Sequence, residues 1–585
     1  MSQLYQPKQY DNTELLEEYL GSPLNPDNEF SFQHSLELDE QELYPEEVGK
    51  ILEKWDFHHY YIPTVYGGKL KSYEEMLSLL RAISRRDLTV AIGHGKTYLG
   101  SVSIWVGDDE PKKYQLAEII KEQKQVALGL TEKAHGSDLV ANEFTAVEVE
   151  DGFLLTGEKW LINNATRSKA LTIFARINND PSPRSFSIFL IQKDTLDKSS
   201  YRHLDKIKTH GIRGADISGI SFNQCLVPKE SLIGKSGYGL ENTLKGFQIT
   251  RTICAGLSLG AADTALRTTL DFALSRQLYG DSVFAIPYTK KVLVDAFLDI
   301  LICDCVAIGS ARAIHVTPEQ MSIWSAITKY FVPTTIEKVI NNLSVVLGAR
   351  YYLRESHWGG VFQKVVRDHA IVSLFDGSTL VNLYAIALYI RHLAKFHKKT
   401  NRAKHEESIP YLKNTFCLET KLPNVHLNKL EIFSQGRNDI LQGLQFILKD
   451  LEALQEVNPQ VLDKISQFTN LIFDLLEKQN QILKDLSATK GYKESPVIYD
   501  IARQYNTLYA AAACLYMWLY NRKLLGNFFA QGEWLILCLD RLITPLVHLQ
   551  HSLPDYYREN TTQELLKLYQ QNKLFSIIPI QLART

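Results

Sequence analysis

The chain has 585 residues, a formal net charge of −2, and 45% hydrophobic and 22% charged residues. That balance is ordinary for a globular protein, and at roughly 150 residues per domain the length allows about four domains. It provides no global field to draw the chain onto nucleic acid or an anionic membrane, so neither is expected as a partner. The seven cysteines are scattered without zinc-site spacing, so no metal site is expected and the thiols are read as reduced and buried. The opening MSQLYQPKQYDN is polar, and the longest late apolar stretch, 507–520, is too short to span a bilayer. A cytoplasmic location without a transmembrane segment is the expectation.

In chain order, residues 1–124 read as helical. YEEMLSLLRAISRR, 73–86, sets Met76, Leu79, Leu80 and Ile83 on one face at helical spacing. Residues 125–236 read as a β domain, with short β-rich runs at 126–131, 144–149, 171–177, 186–192 and 222–227, punctuated by Asn178, Asn179, Pro181 and Pro183. Long helical patterns return over 237–396, with candidates at 240–276, 290–313, 318–347 and 375–396. HKKTNRAKHEES, 397–408, is charged and reads as a linker. Residues 409–585 read as a further helical unit. Leu462, Ile465, Phe468, Leu471, Ile472, Leu475, Leu476 and Leu483 keep one apolar face, and later helices are expected at 497–524 and 534–550.

One stretch is chemically unusual. In RDHAIVSLFDGSTLV, 367–381, the apolar residues Ile371, Val372, Leu374 and Phe375 form a run expected to be buried, and it ends in Asp376-Gly377-Ser378-Thr379. Taken alone, Asp-Gly between apolar runs signals a turn.

Other stretches add a second reading. GLTEKAHGSD (129–138), GFLLTGEKWLINNA (152–165), HGIRGADISGISFNQCLVPKESLIG (210–234) and TRTICAGLSLGAADTALRTTLDFALSRQLYG (250–280) occur in that order ahead of FDGST. Together they resemble the acyl-CoA dehydrogenase superfamily over roughly residues 46–396. The resemblance implies an α+β fold: an N-terminal helical domain, a central β-barrel-like domain and a four-helix bundle. The added helical domain is similar to the extension of the very-long-chain branch, whose members are dimers. It implies FAD between the strand domain and the bundle, and removal of hydrogen from the α and β carbons of an acyl thioester. By the same resemblance Asp376 is the base, one methylene shorter than the family's usual Glu. The α-proton of a thioester is weakly acidic, and a positioned base contributes about 10²–10⁴-fold.

The resemblance also implies cofactor contacts from Leu128, Leu130, Thr131, Ser137, Leu161, Asn163, Arg276, Tyr279 and Ser378, and substrate contacts from Ser137, Phe247, Arg251 and Gly377. Structural readings stay open beside these: turn hydrogen bonds for Thr131 and Ser137, ion pairs for Arg251 and Arg276, and helix capping for Ser378 and Thr379. Leu161 and Asn163 stand where the family commonly has an aromatic and a hydroxyl residue. LGARYYLRESHWGGVFQ, 347–363, departs from the usual double-glycine motif. The expected partners are acyl-CoA or an acyl-carrier protein, an electron-transfer flavoprotein or similar acceptor, and a second copy in a homodimer. A flavin oxidase of the nitroalkane oxidase kind and a non-catalytic scaffold are the competing readings.

Overall fold

The computed structural model describes residues 8–355, 357–399, 406–454, 456–486, 495–547 and 553–584. The N-terminal part consists of α1 (Asp11–Leu20), α2 (Phe32–Glu40), α3 (Glu46–Lys54), α4 (Tyr73–Ser84), α5 (Leu88–Trp105) and α6 (Glu110–Lys121). Ser72 and Asp87 cap α4 and α5 by accepting from first-turn amides that a helix leaves unpaired. Every residue of α4 is buried, because it packs against both α5 and the bundle.

Seven strands follow: β1 (Val126–Gly129), β2 (Thr145–Val149), β3 (Gly152–Asn163), β4 (Ala170–Arg176), β5 (Phe186–Gln192), β6 (Tyr201–Leu204) and β7 (Ile217–Val227). β4 pairs parallel with β1 and antiparallel with β5, while β2, β3, β7 and β6 form an antiparallel run. The pairing of Thr145 with Arg176 joins the two groups into one curled sheet. Its own core holds Phe144, Phe153, Leu155, Phe189, Ile220 and Phe222. β3 is longer than its sequence suggests: Glu158 and Lys159 blur the alternation, and cross-strand pairing on both sides supplies the missing specification.

The bundle contains α7 (Gly239–Ser275), α8 (Pro287–Val316), α9 (Met321–Leu347), α10 (Val361–His369) and α11 (Thr379–Lys399). The helix expected from Phe375 begins instead at Thr379, because Asp376 and Gly377 both take positive φ and cannot be helical. At its other end α11 runs to Lys399, into the expected linker. Positions 400–405 of that linker lie outside the described residues.

Beyond the linker, helices Ile409–Phe416, Pro459–Leu486, Pro496–Asn521, Glu533–Val547 and Asp555–Gln570 form the extension. It is not an independent unit. Arg312 of α8 is fully buried, pairs with Glu74 of α4 and donates to the carbonyls of Asn414, Thr415, Cys417 and Thr420. The C-terminal segment then returns to the bundle. The Phe575 amide donates to Asp263, the Ser576 hydroxyl and Ile577 amide donate to Asp304, and Arg81 donates to the Phe575 carbonyl. Burial pushes the Asp263 carboxyl up, but Arg267, Arg85 and the Phe575 amide overcome it and hold the group below its ordinary range. Among the described residues no helix is long and apolar enough to cross a membrane, and all seven cysteines are unpaired.

Phe575 is fully buried, with Phe297 at 6.1 Å between ring centroids and the Arg267 guanidinium 4.5 Å from its ring. Phe575→Ala is expected to cost about 3–5 kcal/mol, read as a lowered denaturation midpoint. A change within error would mean that the tail is not integral to the fold.

Three buried histidines make stability depend on pH. His94 shares a 2.6 Å hydrogen bond with the Tyr61 hydroxyl, and His315 accepts from the Tyr73 amide and faces the Pro423 carbonyl. Burial pushes His94 and His369 down to about 3 and His315 to about 4. An unfolded histidine titrates near ~6.5. Below that pH the unfolded chain takes up protons that the folded chain refuses. The stability is therefore complete above the unfolded value and is lost as pH falls toward 4, each group contributing up to about 1.4 kcal/mol per pH unit. Thermal melts from pH 7.5 to 5 are expected to show a steadily falling Tm, and a flat profile would contradict the burial of these rings as neutral species.

Candidate active site

The segment between α10 and α11 is a closed turn. The Thr379 amide and hydroxyl both donate to the Ser373 carbonyl, and the Asn382 side-chain amide donates to the carbonyls of Gly377 and Ser378. Ser378 accepts from the Val381 amide, so it caps α11. At the apex Asp376 has φ +53° and Gly377 φ +94°. The left-handed region costs a non-glycine residue about 1–3 kcal/mol and persists only where surroundings enforce it. Arg251 of α7 enforces it here: its Nε donates to the Asp376 carbonyl at 3.1 Å. Its guanidinium also covers Gly377 so closely that an added Cβ would lie 2.9 Å from two of its nitrogens.

The Asp376 side chain is 10% exposed and sits among charged and polar groups. Lys96 Nζ of α5 is 3.6 Å from Oδ1, and Cys254 Sγ of α7 is 3.9 Å from Oδ2. Lys329 of α9 donates to the Val372 carbonyl at 2.5 Å. The Lys96 and Lys329 ammoniums lie 4.3 Å and 4.9 Å from the centroid of the Phe375 ring. Burial pushes Lys329 down to about 8 and Arg251 to about 10, and raises the Cys254 thiol to about 12. The carboxylate opens into a solvent-open cleft lined by Leu80, Ala91, Tyr98, Leu99, Ile253 and Leu257. The charged groups of its lining are Lys96 and Asp376.

The expected burial of Leu374 is wrong: it is 59% exposed. The amides of Leu374 and Phe375 both bond to the Ile371 carbonyl, a turn tight enough that Phe375 packs inward while its neighbour faces solvent.

On the strand side, Lys159 of β3 is buried and donates to the Glu132 carboxylate, the Leu130 carbonyl and Asn142 Oδ1. Burial lowers Lys159 to about 8. Burial opposes ionisation of Glu132, yet Lys159 and the amides of Glu143 and Phe144 hold it below its ordinary range. This buried cluster fixes the start of the 130–142 loop, which carries Thr131 and, fully on the surface, Ser137. A register shift between Trp160 and Ile162 puts Leu161 at φ +55° and turns its side chain outward, 42% exposed. Asn163, two residues on, is buried, yet neither its amide nitrogen nor its oxygen has a partner among the described residues. Unpaired buried polar groups are costly, so the Asn163 amide calls for a ligand or an ordered water. Leu130 is buried in the main hydrophobic core and Leu128 packs against it.

The remaining expected positions fall elsewhere. Phe247 is buried one turn before Arg251, with the guanidinium 5.6 Å from its ring. Arg276 and Tyr279 stand exposed at and beyond the end of α7, Tyr279 at 94%, and neither makes a side-chain hydrogen bond or ring contact among the described residues. Four groups escape the sequence reading: Lys96, Cys254, Lys329 and Lys159. A signal existed for two of them. Lys96 is the single acid or lysine-arginine charge in α5, and Lys329 is the first in α9.

Gly377→Ala adds a methyl group at positive φ against Arg251. It is expected to displace the guanidinium and loosen Asp376, at a cost of about 1–3 kcal/mol. A Tm matching the parent would show that the turn does not need glycine.

Comparison with known proteins identifies what the chain is similar to. Residues 127–225 match the acyl-CoA dehydrogenase middle domain and residues 237–389 the acyl-CoA dehydrogenase C-terminal domain. A probable acyl-CoA dehydrogenase, FadE25, of Mycobacterium tuberculosis is 23% identical over 349 residues, covering 60% of this chain and 88% of that one. Among solved structures, an acyl-CoA dehydrogenase complexed with FAD from Bacillus anthracis superposes with a TM-score of 0.70 at 17% identity, over 97% of this chain and 96% of that one. The prolyl acyl carrier protein oxidase AnaB superposes with a TM-score of 0.60 at 18% identity, over 66% of this chain and 99% of that one. Residues 127–225 and 237–389 are thus an acyl-CoA dehydrogenase middle and C-terminal domain in order, within a fold shared end to end with the Bacillus anthracis structure.

Proposed function

We propose that the chain is an FAD-dependent dehydrogenase that desaturates an acyl thioester between its α and β carbons, with Asp376 as the base. The observation that carries this reading is a single carboxylate, locked by Arg251 in a left-handed turn, at the wall of a largely apolar cleft whose one other charged group is Lys96. An acyl chain fits such a cleft, and the carboxylate meets it where a weakly acidic C–H must be deprotonated.

The strand edge suits a flavin. The unsatisfied amide of Asn163 offers both a donor and an acceptor, and Leu128, Leu130, Thr131 and the outward-turned Leu161 are the further contacts proposed for the flavin. FAD, when bound, supplies the acceptor for the hydride leaving the β-carbon. The chain's own residues do the rest. Asp376 takes the α-proton, Arg251 fixes the peptide that carries Asp376, and the largely apolar cleft, once filled by the acyl chain, excludes water from the reacting carbons. Ser378 caps α11 through its oxygen, and its O–H is left to donate to the flavin. Arg276 and Tyr279, exposed and unpartnered among the described residues, serve the cofactor of a second copy in a homodimer. Acyl-CoA and an acyl-carrier protein are both admissible carriers, and an electron-transfer flavoprotein or similar protein accepts the electrons.

Asp376→Asn keeps the shape and removes the proton acceptor. Expected are retained FAD and ligand binding with anaerobic flavin bleaching slowed by at least about 10²-fold. Bleaching at the parental rate with a substrate active on the parent would remove Asp376 from the mechanism. Rapid peroxide formation on mixing the reduced protein with air would transfer the chain to the flavin oxidases.

A further inference from the structure

Three cations face one carboxylate at this site. Lys96, Arg251 and Lys329 surround Asp376, and no other acid forms an ion pair with any of them among the described residues. Two of the three spend a donor on a backbone carbonyl. Arg251 donates to the Asp376 carbonyl and Lys329 to the Val372 carbonyl, while the ammoniums of Lys96 and Lys329 both lie over the Phe375 ring. Burial pulls Lys329 down to about 8, as expected of an ammonium held in an apolar helix core.

Lys96 differs. Its side chain is 13% exposed, and its one polar partner among the described residues is Asp376 Oδ1, at 3.6 Å and beyond hydrogen-bond distance. An ammonium carries three donors. Lys96 lines a cleft whose other lining is Leu80, Ala91, Ile92, Tyr98, Leu99, Phe375, Asp376 and the α7 face. Placing a largely desolvated charge with unspent donors in an apolar cleft is costly unless a ligand completes it. Asp376 cannot be that partner throughout the reaction, since a base that accepts a proton loses its negative charge.

We propose that Lys96 is a specificity-determining residue that binds a carboxylate on the acyl chain itself, so that the substrate class is a short dicarboxylic acid carried as a monothioester. This rests on the dehydrogenase reading above. The position of Lys96 sets the chain length. Its Nζ lies 3.6 Å from an oxygen of the base, and the base must touch the α-hydrogen, so the second carboxylate lies only a few bonds beyond the α-carbon. The same charge would repel an acyl group bearing a protonated amine. A charge-assisted hydrogen bond in a poorly solvated cleft is worth at least about tenfold in affinity.

The test uses the FAD-loaded full chain with matched pairs of coenzyme A and pantetheine thioesters: straight-chain acyl groups and their ω-carboxylated counterparts of equal carbon number. Binding is measured by calorimetry on Asp376→Asn and turnover by anaerobic bleaching of the parent. Expected is a preference of about tenfold or more for the carboxylated member, lost in Lys96→Met and retained in Lys96→Arg. Equal or better use of the neutral member by the parent would overturn the proposal while leaving the dehydrogenase reading intact. So would a carboxylate preference unchanged in Lys96→Met. If neither member of any pair binds or bleaches, the dehydrogenase reading itself has failed. The comparison within the parent needs no variant, so a Lys96→Met protein that fails to fold leaves the test decisive.

Discussion

The hydrogen bond from Arg251 to the Asp376 carbonyl is the constraint on which the site depends. It holds a non-glycine residue in the left-handed region, and the neighbouring Gly377 leaves room for the guanidinium that makes it. α11 starts where it does because the chain cannot be helical through 376–377, and the carboxylate faces the cleft because the peptide that carries it is pinned from α7. Arg251 can do this because α7 is long and packed on every side, against α4, α5, α8 and α9. Rigid support of this kind is what a positioned base needs.

The same helix ties the site to the far end of the molecule. Asp263 and Arg267 lie three to four turns beyond Arg251, roughly 18–24 Å along the axis at 1.5 Å per residue. There they meet Arg85 and the returning C-terminal segment. Buried ion clusters stabilise little on balance but penalise severely any arrangement that leaves a member unpaired. Asp304 takes two donors from the tail and one from Arg81, so the tail completes a cluster that the N-terminal helices and the bundle begin. The extension is thereby part of the catalytic body, consistent with a shared fold over 97% of the chain in the Bacillus anthracis structure.

On the strand side, Lys159 plays a similar part. By gathering Glu132, Leu130 and Asn142 it anchors one end of the loop that opens from β1, and the bulge beyond it sets Leu161 outward. The Asp376 turn and the strand edge are thus each organised by a cation that contacts backbone carbonyls. Lys96 has no such role among the described residues, which is why its donors are available to a ligand.

The order of helical, strand and helical segments was legible from periodicity, because burial of one face imposes a repeat of 3.6 or 2 on the sequence itself. The superfamily and the candidate base were legible from ordered local motifs, and Asp376-Gly377 announced its turn through glycine's tolerance of positive φ. β3 was hidden, since its charged residues are accommodated by cross-strand partners distant in sequence. The inward Phe375 and outward Leu374 were hidden as well, because a tight turn reverses direction residue by residue. Lys96, Lys329 and Cys254 come from three different helices, and nothing in the spacing of residues 96, 254, 329 and 376 reveals that they meet. Local sequence determined which elements form and where the chain must turn. Tertiary packing alone decided which charges converge on Asp376, because electrostatic interaction depends on distance in space and low-dielectric burial, and neither is encoded in separation along the chain.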